Sequence, residues 1–239
     1  MKRPRRETPR FDMTTPPPFA VFDCSLVRYA IGRSCSNLRE LLDAIRTVPD
    51  MVLEHHVMRC ALDDHFELYE FPNDLARWCW EALGDRTLAE ILSLVDPYNL
   101  PSIAALRTRL EDTIEGQLWG AEHQHSCRPG LELHLMGSRL VAFDTGERIP
   151  TSAALAEALP RLSLRSFFYH IHEAHRRNGS GSDDFSAWLE NFGADASLVA
   201  ELRAIDFNFL NLNQLRHEFI DAFRHLQLPE PQAVVRANT

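Results

Sequence analysis

Apolar residues recur at helical spacing through most of the chain. The clearest stripe follows Asn37 and consists of Leu38, Leu41, Leu42 and Ile45. Such a stripe predicts an amphipathic helix, because side chains three and four positions apart lie on one helical face. Asn37 is a suitable N-cap, and Glu40 stands at the third helical position, as in a capping box.

The same spacing predicts four or five helices in each half of the chain. In the first half they cover about 38–45, 52–62, a segment that starts at 73, then 86–94 and 102–118. In the second half they start at 151 or 152 and at 183, and they cover about 166–177, 196–204 and 211–226. Acidic or amide residues at 73 and 183 suit helix starts, where they satisfy free N–H groups.

Each half opens with a segment that looks extended. Residues 131–135 alternate cleanly between apolar and polar, and residues 19–29 alternate roughly. A Gly137-Ser138 pair separates 131–135 from a second apolar run, which predicts a hairpin there. Gly32 and Gly146 mark the exits of the extended segments. If the halves are related by twofold symmetry, their β elements could pair into one small sheet.

The two halves are similar to each other in sequence. Three residues of the first half match three of the second at a constant offset of 114: Leu26, Tyr29 and Gly32 with Leu140, Phe143 and Gly146. His56 and His170 keep the same offset. Further on, the offset falls to 110, where Asn73-Asp74 and Trp78 match Asp183-Asp184 and Trp188. Matches that keep their order over some 95 residues indicate an internal duplication.

These patterns predict a mainly α protein of the α+β class. It consists of two similar helical units, each with a short N-terminal β element, related by pseudo-twofold symmetry. The predicted organisation is a disordered, basic, Pro-rich arm at 1–18, a first repeat unit at 19–118, a connector at 119–132, a second repeat unit at 133–228 and a tail at 229–239.

Charge narrows the classes of partner. The chain carries a net charge of −9. Residues 1–18 hold five basic and two acidic residues, so the remainder carries −12. An acidic body disfavours nucleic acid as a partner, because phosphate binding needs a dominant positive field. The sequence contains no run of 18 apolar residues, so no membrane span is predicted. Five cysteines without CxxC spacing and no signal-like start favour a reducing cytoplasm.

Histidines and carboxylates are the candidate chemistry. The polar residues that both halves share are His56, Asp74, Asp96 and Arg107, with His170, Asp184, Asp206 and Arg216. Imidazoles and carboxylates bind divalent metals when three or four converge, so His56, His170, Asp74 and Asp184 form a candidate metal site. The alternative is structural: a buried histidine held by an aspartate or a backbone carbonyl, with aspartates capping helices.

Other sites find less support in the sequence. His172-Glu173-Ala174-His175 lacks one residue of the HExxH spacing, which excludes a zincin. A di-iron bundle needs Glu-x-x-His pairs on two helices, and none of the predicted helices carries one; phosphate-binding loops and nucleophile motifs are absent too. The connector offers His123, His125 and Cys127, which could bind zinc only with a fourth ligand from elsewhere; a solvated linker is favoured.

The duplicated pattern of a histidine followed by (N/D)D-x-x-x-W resembles an uncharacterised bacterial family, a domain of unknown function. The residues that carry the resemblance are His55-His56 with 73–78 and Tyr169-His170 with 183–188. The resemblance extends from about 19 to 226. It implies a bacterial origin and a doubled unit, and it implies no activity.

Two functional hypotheses follow. The first is a non-catalytic binding or scaffold protein, whose groove or acidic face binds a protein or a small polar ligand. The alternative is a metal-dependent or acid/base enzyme with its site on the histidine-bearing helices and a divalent metal as its cofactor. The second hypothesis requires His56 or His170 to lie in a pocket that solvent reaches, within ligand distance of a carboxylate from another helix.

Overall fold

Two long strands open the two halves of the chain and pair with each other. The computed structural model describes residues 17–62, 70–120, 126–178 and 181–227. Strand β1 (Phe19–Cys35) and strand β2 (Leu133–Ile149) form a two-stranded antiparallel sheet. The pairing of the two β elements is therefore confirmed. The predicted arm up to residue 16, residues 121–125 of the connector and the tail lie outside the described residues.

Helices make up most of the rest, so the predicted α+β class is confirmed. After β1 come α1 (Leu38–Thr47), α2 (Asp50–Val57), α3 (Asp74–Glu81), α4 (Arg86–Ser93) and α5 (Ile103–Gly120). After β2 come α6 (Ser152–Ala158), α7 (Leu164–Phe168), α8 (Ala174–Arg177), α9 (Asp184–Asn191), α10 (Ala196–Arg203) and α11 (Leu212–Gln227). No helix in the described part of the chain is long and apolar enough to cross a membrane.

The register of the sheet follows the 114-residue offset. Leu26 lies opposite Leu140 at the centre, and the two residues are 114 positions apart. Replacing each residue by its counterpart 114 positions away turns the Phe22–Asp144 pair into the Ala30–Met136 pair, which is also present. The two register shifts are related in the same way. The shift between Ala20 and Phe22 lies between the pairs Ala20–Arg148 and Phe22–Asp144. The same replacement turns these pairs into Ser34–His134 and Ala30–Met136, which enclose the second shift.

The predicted hairpin in the second half is wrong. Gly137 and Ser138 lie in the middle of β2, where Gly137 pairs with Tyr29 of β1. A Cβ atom at Gly137 would lie 2.6 Å from Cζ of Tyr29, so the ring occupies the space that a side chain would need. The glycine therefore permits close cross-strand packing and does not form a turn.

Local capping explains where α1 begins. The Asn37 side chain accepts a hydrogen bond from the Glu40 N–H at 3.0 Å. The Glu40 carboxylate accepts one from the main-chain N–H of Ser36 at 2.7 Å. The first contact satisfies an unpaired N–H at the helix start, as predicted. The second differs from a capping box, because Glu40 binds the N–H of Ser36, one residue before the cap, and not that of Asn37.

The second histidine-bearing segment differs from the regular helix that the sequence predicted. A π-helical turn (Tyr169–Glu173) separates α7 from α8. In the first half, a short 3₁₀ turn (Arg59–Leu62) follows α2 instead. A π turn holds one residue more than an α turn, so it changes the direction of the side chains that follow it.

Each strand contributes to the hydrophobic core of the other half. The first core is built from residues between 35 and 114 together with Leu133 and Leu135 of β2. The second core is built from residues between 149 and 223 together with Phe19, Val21 and Cys24 of β1. Burial of these strand residues removes apolar surface from water only when both halves are folded together.

A group of charges around the buried residues Arg59 and Glu173 also joins the halves. Arg59 pairs with Glu54 at 2.9 Å and with Glu173 at 3.4 Å, and it donates a hydrogen bond to the Ser138 carbonyl at 3.0 Å. Arg176 pairs with the same two carboxylates. Two positive and two negative charges balance, which compensates for the hydration that buried ions lose.

Candidate site at the two histidine–aspartate pairs

The first pair joins α2 to α3. His56 near the end of α2 and Asp74 at the start of α3 lie with Nδ1 and Oδ2 2.8 Å apart, and both side chains are buried. Asn73 caps α3, because its side chain accepts a hydrogen bond from the Ala76 N–H at 2.9 Å. The cap leaves the Asp74 carboxylate available to the histidine.

The second pair has the same geometry. Nδ1 of His170, in the π turn, lies 2.8 Å from Oδ2 of Asp184 at the start of α9. Asp183 caps α9 by accepting a hydrogen bond from the Ser186 N–H at 2.7 Å. The dipeptides at 73–74 and 183–184 therefore divide two tasks: the first residue caps a helix and the second binds a histidine.

The other ring nitrogen of each histidine binds a strand of the opposite half. The main-chain N–H of Met136 in β2 donates to Nε2 of His56 at 2.9 Å. The main-chain N–H of Phe22 in β1 donates to Nε2 of His170 at 2.9 Å. Met136 and Phe22 are themselves 114 residues apart. A histidine, its aspartate and the strand N–H that donates to the histidine together form a unit that we call a clamp.

These contacts determine the protonation of both rings. A main-chain N–H can only donate, so Nε2 of His56 and of His170 must offer a lone pair. The proton of each neutral ring is then on Nδ1, where it is donated to the ionised carboxylate. Both nitrogens of both rings are engaged within the protein.

The tryptophans bind the residues that precede the strands. Nε1 of Trp78 donates to the Leu131 carbonyl at 2.8 Å, and Nε1 of Trp188 donates to the Pro17 carbonyl at 2.9 Å. The two carbonyls are again 114 residues apart. Each tryptophan stands four positions after its aspartate, so both side chains project from the same face of one helix.

Charges around each pair favour ionised aspartates. Burial alone would raise the pKa of Asp74, but the hydrogen bond from His56 and the charge of Arg77 outweigh it, so the pKa lies below 3.8. Burial would likewise raise the pKa of Asp184, but the hydrogen bond from His170 and the charge of Arg177 outweigh it, so this pKa is also lowered. Arg77 and Arg177 reach their aspartates at 2.7 and 2.8 Å.

A cavity of about 410 Å³ opens beside the first pair. Besides His56 and Asp74, its ionisable lining consists of Arg28, His55, Arg77, Glu81, Glu132 and His134. His55 is buried, and its Nδ1 has no hydrogen-bond partner among the residues that the structure describes. Burial lowers the pKa of His55 to about 4, so the ring is neutral near pH 7. His55, His56 and Asp74 can place one ligand atom each within 4.8 Å of one another.

A second cavity, of about 430 Å³, lies in the other half beside α9 and α10. His175, Asp183, Glu190 and Arg203 contribute its ionisable groups. Burial raises the pKa of Asp183. His172 does not line this cavity; its Nδ1 lies 3.0 Å from the Tyr98 hydroxyl, and burial lowers its pKa to about 3.

The four predicted metal ligands form two pairs. Within the described ranges, His56, Asp74, His170 and Asp184 do not form a single group of ligand atoms within 4.8 Å. His65, His123 and His125 lie outside the described residues. His55 is a histidine of the same helix as His56 that falls outside the set shared by both halves, and the strand N–H groups carry no signal in the sequence. The recurrence of Trp78 and Trp188 in both halves was a signal that these helices bind something equivalent.

Other shared residues have unequal surroundings. Arg107 donates to the Val48 carbonyl at 2.9 Å and pairs with Asp50 at 2.7 Å. Its counterpart Arg216 donates to the Asn213 side chain at 2.8 Å. The contacts of the two halves are therefore most alike at the histidine, the aspartate and the tryptophan.

Comparison with known proteins places the chain in a family. The model of a family of unknown function (DUF5752) matches residues 16–224. Among solved structures, "The structure of OrfY from Thermoproteus tenax" is similar with a TM-score of 0.72 and 26% sequence identity, covering 90% of this chain and 97% of that chain. A search of curated proteins found no match. OrfY is archaeal, so this neighbour does not support the expected bacterial origin.

Proposed function

We propose that this chain, which belongs to the family of unknown function DUF5752, is a non-catalytic binding or scaffold protein. In this proposal, units 19–118 and 133–228 arose by internal duplication and are related by a pseudo-twofold axis through the centre of the sheet. The two clamps hold the units together, so that the assembled body can present a binding surface.

Three sets of contacts support the duplication independently of one another. The 114-residue offset relates the members of each set. It relates the two strand N–H groups that donate to the histidines, the two carbonyls that accept from the tryptophans, and the two residues of the central pair of the sheet. Sequence similarity alone does not require that backbone groups be bound at equivalent positions. A duplicated fold that exchanges its strands accounts for all three.

The observation that carries a structural role is the use of both ring nitrogens. A metal bound at Nδ1 of His56 would need the lone pair there, which would move the ring proton to Nε2. That N–H would then face the N–H of Met136, and the strand would lose its acceptor. A general base would need a free Nε2 and meets the same obstacle. The clamp therefore supports a scaffold over a catalytic centre.

The cavity beside His55 is the proposed place for a small polar ligand. Its lining carries both signs of charge within about 410 Å³, which suits a ligand with hydrogen-bonding groups. At the positions 114 residues away from His55, Leu133 and Met136, the other half has Tyr169, Phe19 and Phe22. In the second half, aromatic side chains thus occupy the positions that line the cavity in the first half.

The net charge and the free thiols support the proposed class of partner and the proposed location. Protein surfaces or small polar molecules are the proposed partners, because an acidic body repels nucleic acid. Burial raises the pKa of Cys24 to about 12 and of Cys35 to about 11, so these thiols stay protonated. A cytoplasmic location fits the free cysteines and is part of the proposal.

A divalent-metal enzyme is the second candidate. The observation in its favour is the proximity of His55, His56 and Asp74 beside the cavity. Metal binding there would have to replace the His56–Asp74 hydrogen bond and compete with Arg77 for the carboxylate.

One set of preparations separates the candidates. Metal content by elemental analysis and melting temperature by calorimetry are measured on wild type, His56→Ala and His170→Ala. The matched control is His217→Ala, because His217 is exposed and its Nδ1 lies 2.7 Å from the Asn213 carbonyl of the same helix. The scaffold predicts no stoichiometric metal in any sample, lower melting temperatures for the first two variants and no change for the control. One metal per wild-type chain that disappears in either clamp variant would establish the second candidate instead.

A further inference from the structure

Two consecutive helices of the second half match two of the first half in their bounds. The first residues of α3 and α4, Asp74 and Arg86, are each 110 positions before the first residues of α9 and α10. The last residues of the four helices keep the same offset. Position 183 is therefore related to position 202 as position 73 is related to position 92.

In the first half, one asparagine side chain joins the start of α3 to the end of α4. Oδ1 of Asn73 accepts the Ala76 N–H at 2.9 Å, and Nδ2 donates to the Leu92 carbonyl at 3.1 Å. The same carbonyl accepts the main-chain N–H of Val95 at 3.3 Å. The acceptor end of the amide thus caps a helix, and its donor end binds the next helix.

The second half has an aspartate in place of that asparagine. Asp183 accepts the Ser186 N–H at 2.7 Å, so the cap is kept. An ionised carboxylate has no donor, so it cannot bind the carbonyl of Leu202, the counterpart of Leu92. Among the described residues, that carbonyl accepts only the main-chain N–H groups of Ala204 and Ile205. Two acceptors therefore stand where the first half has a donor and an acceptor.

The Asp183 carboxylate has no ion pair to compensate its burial. Asp183 is 3% exposed, and burial raises its pKa. Its neighbour Asp184 has Arg177 at 2.8 Å, whereas within the described ranges no arginine or lysine pairs with Asp183. A buried charge without a partner is costly. A positively charged donor between Asp183 and Leu202 would bind the carboxylate and the carbonyl together.

The cavity of about 430 Å³ beside α9 and α10 is lined by both Asp183 and Leu202. Its volume suits a small molecule. In the part of the chain that the structure describes, His175, Asp183 and Glu190 do not form a group of ligand atoms within 4.8 Å, so they do not surround a single metal ion. Phe207 also lines the cavity, and an aromatic ring attracts a nearby cation.

We propose that this cavity binds a small organic cation that carries a primary ammonium group. The ammonium donates to the Asp183 carboxylate and to the Leu202 carbonyl, and the apolar part of the molecule lies against Phe207. The site goes beyond the proposed function, because it lies in the other half from the cavity beside His55 and does not depend on a ligand there.

The other polar groups of the lining are compatible with such a ligand. Nδ1 of His175 lies 2.7 Å from the Ile171 carbonyl, which can only accept, so Nδ1 carries a proton. The neutral ring then offers Nε2 as a further acceptor. Arg203 pairs with Glu190 at 2.6 Å, so its charge is compensated within the lining. Asp183 is left as the acidic residue of the lining without an ion pair.

Binding of butylammonium tests the site. The probe is compared with 1-butanol, which has the same alkyl chain and no charge, in titrations of the full chain followed by NMR spectroscopy. Wild type should bind one butylammonium per chain in a saturable manner. It should bind 1-butanol at least about tenfold more weakly, because charge-assisted hydrogen bonds are stronger than neutral ones.

Asp183→Asn gives the second half the residue type that the first half has at position 73. The amide can cap α9 and donate to the Leu202 carbonyl, as Asn73 does in the first half, so the variant should fold. It should bind butylammonium at least about tenfold more weakly than wild type. The matched control is Asp112→Asn, at an exposed site on α5, which should bind as wild type does.

Ala187→Arg tests the site with Asp183 in place. Ala187 lines the cavity, and the first half has Arg77 at the counterpart position in α3, so an arginine is compatible with the helix. The added positive charge should weaken the binding of butylammonium, and circular dichroism verifies folding of both variants.

Three results would each overturn the proposal. The first is a wild type without saturable binding of butylammonium, as expected if a proton on Asp183 binds the Leu202 carbonyl instead of a ligand. The second is equal affinity for butylammonium and 1-butanol. The third is wild-type affinity for butylammonium in a folded Asp183→Asn or Ala187→Arg.

Discussion

Nε2 of His56 accepts a hydrogen bond from the main-chain N–H of Met136, a strand residue in the opposite half of the chain. The reverse contact, from Phe22 to His170, has the same length of 2.9 Å. Each half therefore holds the strand that opens the other half. Because the cores are shared in the same way, folding of one half depends on the other.

Removal of a clamp histidine should destabilise the whole chain. His56→Ala leaves the half-buried Met136 N–H and the buried Asp74 carboxylate without their partner, which costs about 1–3 kcal/mol. His170→Ala should have a similar effect through Phe22. Urea unfolding measures the loss, and His217→Ala should stay within about 0.5 kcal/mol of wild type. A clamp variant as stable as the control would contradict the structural role.

The tryptophan contacts should contribute less. Trp78→Phe removes the indole N–H and leaves the Leu131 carbonyl without its donor. The net loss expected for one hydrogen bond is about 0.5–1.5 kcal/mol, together with some lost packing. Trp119→Phe is the control, because Trp119 is 89% exposed. Equal effects of the two substitutions would show that the Leu131 contact adds nothing to stability.

Stability should fall in acid because of the clamp aspartates. The folded-state pKa of Asp74 and of Asp184 lies below the ordinary 3.8. A lowered pKa contributes stability that is complete above the unfolded value and is lost as the pH falls through the folded value. The free energy of unfolding, measured by urea between neutral pH and about pH 2, should therefore decline below about 3.9.

Asp74→Asn isolates this acid dependence. The amide oxygen can still accept the Nδ1 proton of His56, so the fold is retained while the titrating group is gone. Its stability at neutral pH should be lower than that of wild type, and its decline in acid should be shallower. Asp112→Asn, at an exposed site on α5, should keep the wild-type slope. An unchanged slope for Asp74→Asn would rule out this carboxylate as a source of the acid dependence.

Two strand glycines should resist substitution for backbone reasons alone. Gly32 and Gly146 have φ values of +72° and +80°, and a Cβ atom added at either residue would meet no described atom within 4 Å apart from those of its chain neighbours. Gly32→Ala and Gly146→Ala should therefore cost about 1–2 kcal/mol through strain. Gly116→Ala, in the interior of α5 with equally open surroundings, should instead stabilise by about 0.5–1 kcal/mol. Thermal unfolding of all three distinguishes strain from crowding.

The helices and their starts could be predicted because their causes are local. Asn37, Asn73 and Asp183 cap helices where the sequence placed them, since a cap depends on residues three positions away. The hairpin prediction failed because Gly137-Ser138 is locally typical of a turn. The actual reason for Gly137 is the ring of Tyr29, more than 100 residues earlier, which no local pattern reveals.

The candidate site was predictable to the level of residue identity. Matching the two halves identified His56 with His170 and Asp74 with Asp184, and each histidine is indeed beside its aspartate. The partners of Nε2 could not be predicted, because a main-chain N–H has no residue identity. Without those partners, a metal ligand and a structural clamp look the same in sequence.

The protonation of the two clamp histidines tests the account most directly. Long-range ¹H–¹⁵N correlation spectra of histidine-labelled protein, assigned with His56→Ala and His170→Ala, distinguish the two neutral tautomers and the imidazolium form. The clamps predict that both rings are neutral at pH 7, with the proton on Nδ1 and an unprotonated Nε2. A proton on Nε2 in either ring, or a positively charged ring, would contradict the strand contacts on which the structural role depends.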